Sequence, residues 1–88
     1  MLEKQRAEID VIDREIVALF ERRMQVVVEV AQIKKENGIA ILDANREKEV
    51  IAKVQSYLKE ATLKEELAEA YETLMKVSKD YQKKRIND

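Results

Sequence analysis

The chain has 88 residues, 45% hydrophobic and 40% charged, with one Gly and no Pro, which leaves room for a single small all-helical domain over residues 1–88 whose thin core invites a second copy. Seventeen basic against eighteen acidic residues give a net charge of -1 and exclude the broad cationic surface that nucleic acid requires. The lack of His and Cys excludes imidazole acid–base chemistry, thiol chemistry, disulfides and the usual transition-metal sites.

A first helix is predicted over about 2–37, ended by Gly38, the one glycine and a good C-terminal cap. Read in sevens, Leu2, Ile9, Ile16, Arg23 and Val30 share one lane, and Gln5, Ile12, Leu19, Val26 and Ile33 share the lane three residues on. This is an apolar seam with a cation in it. The residues three and four away from Arg23 are Leu19, Phe20, Val26 and Val27, so no carboxylate of its own helix neutralises it. Lys34 repeats the pattern, with Val30, Ala31, Asn37 and Gly38 around it. Two such cations on one apolar stripe point to an anionic ligand.

At about 1.5 Å per residue this helix is about 50 Å long, more than the rest of a small domain can cover, so its far end needs another chain. On the same scale Arg23 and Lys34 stand about 16 Å apart, and Arg6, in the lane beside that of Arg23, lies about 25 Å below it. Arg6 therefore cannot share a site with Arg23 inside its own chain. An antiparallel partner helix would bring a second Arg6 up to Arg23 and build two equivalent sites across one isologous interface.

The segment Ile39-Ala40-Ile41-Leu42 is apolar without period and reads as a connector lying over the core, after which Asp43 or Asn45 can cap a second helix. That helix is predicted over about 44–60 from Val50, Ile51, Val54, Tyr57 and Leu58. Near its start Arg46 has Asp43 and Glu49 for ordinary pairing, whereas Glu47 has no base at three or four residues and is free to accept a hydrogen bond from a ligand hydroxyl. Thr62 with Glu65 forms a candidate capping box for a third helix over about 63–86, with Leu67, Tyr71, Leu74, Met75, Ser78 and Tyr81 on one face and the tail Lys83-Lys84-Arg85. Ser78 and Gln82, four apart, offer neutral donors towards an anion.

Each polar position also has a bland reading. Arg6 can pair with Glu3 or Asp10 at the surface, Arg23 can bridge to a carboxylate on another helix, and Lys34 can reach past the helix end to water. Asp43, Arg46 and Glu47 can be a cap with surface charges, Ser78 can bond back to its own helix, and Gln82 can be solvated. Spacing alone does not choose between the two sets.

Taken in order, Arg6, Arg23, Lys34, the run Asp43-Ala44-Asn45-Arg46-Glu47, and Ser78 with Gln82 resemble the active-site pattern of the all-helical chorismate mutases, the AroQ family, and so does the Ile-Asp repeat at Ile9-Asp10 and Ile12-Asp13. The resemblance covers almost the whole chain; its departures are a short, glycine-free junction around Glu60 to Thr62 and Ala40 where a Pro is often found. It implies an intertwined homodimer of three-helix chains, each pocket completed by one arginine of the partner. It implies the pericyclic rearrangement of chorismate to prephenate, which needs no cofactor, metal, proton transfer or covalent intermediate. By similarity, Arg23 and the partner's Arg6 would hold the two substrate carboxylates, and Lys34 and Gln82 would donate to the ether oxygen. Glu47 and the Asp43 region would receive the ring hydroxyl, while Ser78 and Arg46 would support a carboxylate and its surroundings.

Two other functions compete for the same residues, and spacing barely separates the second of them from the mutase. A non-catalytic helical dimerisation module explains the heptads but has no use for inward cations, and an isochorismate pyruvate-lyase would use a similar pocket and a similar dianion. No apolar run approaches the 18 or so residues of a membrane span, and the start Met1-Leu2-Glu3-Lys4 lacks the form of a signal peptide, so a cytoplasmic setting without membrane or nucleic-acid partners is expected. The missing His, Cys, Pro and Trp equally suit a designed or a thermophile sequence.

Overall fold

A computed structural model describes residues 1–86. Three α-helices follow one another: α1 Glu3–Glu36, α2 Ala44–Ser56 and α3 Lys64–Ile86, with a 3-10 turn at Ala61–Leu63 leading into the last. The charges at the helix ends suit the backbone dipole: Glu3 opens α1, Lys34 and Lys35 close it, and α3 begins with Glu65 and Glu66 and ends with Lys83, Lys84 and Arg85.

Gly38 ends α1 in the way its chemistry favours. Its φ of 65° lies in the left-handed region, and the turn it makes lets Ile39 N donate to Lys34 O at 2.8 Å and Gly38 N to Lys35 O at 3.4 Å. These two bonds form a Schellman motif, which satisfies helix-end carbonyls that a β-carbon at this position would make costly to reach. Asp43, in extended backbone, then caps α2 by accepting from Arg46 N at 3.0 Å.

The junction after α2 differs from the sequence expectation. The helix stops at Ser56, short of residue 60, because Tyr57 N and Leu58 N bond to carbonyls three residues back and the Ser56 hydroxyl turns onto Lys53 O. The Gln55 amide reaches across to Lys64 O at 3.0 Å, joining the end of α2 to the start of α3. Nor is Thr62 the capping residue: Glu60 accepts from both the backbone N–H and the hydroxyl of Thr62, at 3.4 and 2.9 Å, and the turn opens on Glu60.

Packing centres on α3, which lies against both α1 and α2. Ala31 is fully buried and Met75 nearly so, and they are the only apolar side chains among the described residues that reach that state. The N-terminal half of α1 runs clear of the rest of its chain. Leu2, Ile9, Ile12, Ile16 and Leu19 of the predicted seam are each more than half exposed, and the molecule is an elongated 54 × 27 × 15 Å. The same residue types that build a core elsewhere form here a bare apolar stripe. Among the described residues no helix is long and apolar enough to cross a membrane.

Candidate active site

Two hydrogen bonds fix how α1 and α3 meet. Arg23 Nη1 donates to Ser78 Oγ at 2.7 Å, and Gln82 Nε2 donates to Val27 O at 3.1 Å. Both join residues 55 apart, so the two helices rise side by side in the same direction, four residues on one matched by four on the other. Near the top of this seam the Lys35 ammonium donates to Ile86 O at 3.1 Å.

Arg23 is half-buried, and its guanidinium also lies over the ring of Tyr71, 5.9 Å from the centroid. Ser78, buried, donates its own hydroxyl proton to Leu74 O at 2.8 Å and so offers Arg23 a lone pair. The back-bond to its own helix and the contact with the cation therefore coexist. Gln82, also buried, spends one amide N–H on Val27 O and retains the other. Lys34 is half-buried near the end of α1, where its ammonium donates to Ile41 O at 3.0 Å and fastens the connector. Among the described residues neither Arg23 nor Lys34 takes part in an ion pair.

Glu47, in the first turns of α2, faces α3. Its carboxylate meets the Lys79 ammonium at 2.9 Å, with both side chains about a quarter exposed. Sequence reasoning gave Glu47 no partner because Lys79 is 32 positions away along the chain and on another helix. The sequence places Tyr71 on one face of α3 without pointing to its contact with Arg23. Asp43 and Arg46 occupy the exposed start of α2, Asp43 as its cap and Arg46 in a 3.6 Å surface pair with Glu49. Arg6 lies on the uncovered arm of α1, fully outside the cluster formed by its own chain.

The chain thus brings Arg23, Ser78 and Gln82 together along the α1–α3 seam, with Glu47 beside Ser78 through Lys79, and Lys34 two turns beyond Val27. A hollow of about 750 Å³ between Phe20, Met24, Val77 and Tyr81 contains none of these residues and is an open flank of the helix pair. Convergent polar groups rather than volume mark the candidate site. Arg23 and Glu47 line two smaller open hollows, of about 440 and 420 Å³. Fixed cations with the neutral donor Gln82 between them, held on rigid helices, can bind and orient a small dianion.

Residues 5–83 match the family model described as chorismate mutase type II. The chain belongs to this family. A bifunctional chorismate mutase/prephenate dehydratase of Buchnera aphidicola is 38% identical over 82 residues, 92% of this chain and 21% of that protein. A chorismate mutase of Methanocaldococcus jannaschii is 32% identical over 84 residues, 94% of this chain and 85% of that protein. The T-protein of Haemophilus influenzae is 40% identical over 42 residues, 48% of this chain and 11% of that protein. The chain therefore spans a small part of two of these relatives and most of the third. No solved structure gives a significant match. Within the type II chorismate mutase family, the three-helix arrangement with a long first helix is the fold expected from the sequence.

Proposed function

We propose that the chain is a chorismate mutase, converting chorismate to prephenate in two pockets shared across an intertwined homodimer, in the cytoplasm. One observation carries this reading: Arg23 and Lys34 stand half-buried on α1 without a carboxylate partner among the described residues, in line with two neutral groups of α3, Ser78, which accepts from Arg23, and Gln82, which keeps one N–H to donate. Family membership supplies the reaction class.

The reaction is an intramolecular rearrangement, so the protein's task is geometric and electrostatic. A flexible dicarboxylate must be held in its compact chair, and the ether oxygen, which gains negative charge as its bond breaks, must be stabilised. In our reading Arg23 grips one carboxylate with the face of its fork not used by Ser78, and Arg6 of the partner subunit grips the other. Lys34 and the free N–H of Gln82 donate to the ether oxygen. Their existing bonds, to Ile41 O and Val27 O, hold each donor in place before substrate arrives, so little reorganisation accompanies the charge shift. Glu47 accepts from the ring hydroxyl. Asp43 holds the start of α2 in register through its cap, and Arg46 lies beside it.

The bare half of α1 supports the dimer. Leu2, Ile9, Ile12, Ile16 and Leu19 leave an apolar stripe that no described residue covers, and covering each would contribute on the order of 1 kcal/mol. An antiparallel copy covers the stripe and carries Arg6 to the height of Arg23.

The decisive assay follows loss of chorismate in the ultraviolet with identification of the product, isochorismate being offered in parallel. Prephenate formation is the expected result. Pyruvate release from isochorismate would assign the chain to the sister elimination instead, and inertness towards both would leave a dimerisation module.

A further inference from the structure

Among the described residues the ion pair between Lys79 and Glu47 differs from every other. The pair at the N-terminus, Arg46 with Glu49, and Lys76 with Asp80 all join near neighbours in sequence and are well exposed, whereas Lys79 and Glu47 connect α3 to α2 and are about a quarter exposed. Exposed pairs of the first kind contribute little, because water and salt screen them and side-chain entropy opposes them. A pair withdrawn from water is screened less and has a local effect. Lys79 follows Ser78 directly and sits one turn before Gln82, so its charge lies at the edge of the polar cluster.

That position creates an electrostatic problem and its answer. If the pocket receives a dianion, a bare Glu47 carboxylate at its wall repels it, yet a carboxylate is the better acceptor for a ring hydroxyl. We infer that Lys79 is a positioning residue of the pocket: it holds the Glu47 carboxylate at the α2–α3 seam and cancels that group's repulsion of a doubly charged substrate, leaving an oxygen free to accept a hydrogen bond from a hydroxyl. This inference rests on the chorismate mutase reading for the identity of the dianion.

The test is a set of four variants assayed with chorismate: Lys79→Met, Lys79→Arg, Glu47→Gln and the double variant Lys79→Met with Glu47→Gln, each checked for helicity by circular dichroism. Lys79→Met should raise KM about three- to tenfold while kcat stays within about twofold, and Lys79→Arg should restore KM. The double variant lacks the bridge as surely as Lys79→Met does, but carries no orphaned carboxylate. Its KM should therefore return to that of Glu47→Gln. A double variant as poor as Lys79→Met would reduce the pair to a mechanical tie between helices and overturn the inference, as would an unchanged KM in Lys79→Met. Should the parent bind chorismate without converting it, the reaction reading falls, and the same four variants judge the inference through calorimetric Kd values for chorismate. A parent that neither binds nor converts chorismate overturns both.

Discussion

Arg23 gives a hydrogen bond to Ser78 at 2.7 Å across two parallel helices, and Ser78 can receive it because its own proton is committed to Leu74 O. The serine thereby acts as an acceptor that aims the guanidinium. Ser78→Ala removes the acceptor and leaves a residue with higher helix propensity. The expected outcome is an unchanged or slightly higher melting temperature with kcat/KM for chorismate lowered about tenfold, since misplacement of a binding group by a fraction of an ångström is costly. Parallel thermal melts and steady-state assays check it, and full activity would remove Ser78 from the site.

Lys34→Ala should lower kcat by about two to three orders of magnitude, the usual effect of deleting one donor to a developing negative charge. The same change frees Ile41 O and loosens the connector, at a cost to stability of about 1 kcal/mol. A variant that stays folded but loses turnover fits these two roles; turnover close to the parent's would exclude Lys34 from the chemistry.

Arg23→Leu separates binding from stability. Leucine completes the apolar lane between Ile16 and Val30, relieves the desolvation of a half-buried cation, and leaves Ser78 bonded to Leu74. Activity should fall by about two orders of magnitude or more while the melting temperature holds or rises. A marked drop in melting temperature would show that the guanidinium is a structural bridge between Tyr71 and Ser78.

If the pockets are shared, mixtures of variants report it quantitatively. An Arg6→Ala chain and a Lys34→Ala chain each lack one part of both pockets in their own homodimers, but a heterodimer of the two rebuilds one intact pocket. After random exchange of equal amounts, about a quarter of the parent activity should return. Sedimentation at twice the chain mass, with recovery on mixing, is the expected pair of results; no recovery after demonstrated exchange would place Arg6 outside the site.

Much of this was legible in the sequence, and the limits are physical. A seven-residue lane reveals its own interruption at Arg23, Lys34 stands out because no acid lies three or four residues away, and Gly38 marks the end of α1 because its backbone freedom suits the Schellman turn. The all-helical class followed from composition. What a single helix's period cannot encode is its register against another helix. The contacts of Glu47 with Lys79 and of Arg23 with Tyr71 depend on where α3 lies against α2 and α1, which no local spacing records. The early stop of α2 was hidden for a related reason: Tyr57 and Leu58 continue the apolar period, while the Ser56 hydroxyl and the reach of Gln55 to Lys64 end the helix. Whether the polar positions work together as a pocket is decided by the variants above.

If the uncovered half of α1 is a dimer surface, it ties output to abundance. If each protomer waits for another to clothe its arm, then dilution itself inhibits: below some threshold, thinning the population removes assembled pairs faster than it removes chains, and the rate falls more steeply than the amount of protein. Crowding the chains together would reverse the effect without any regulatory ligand.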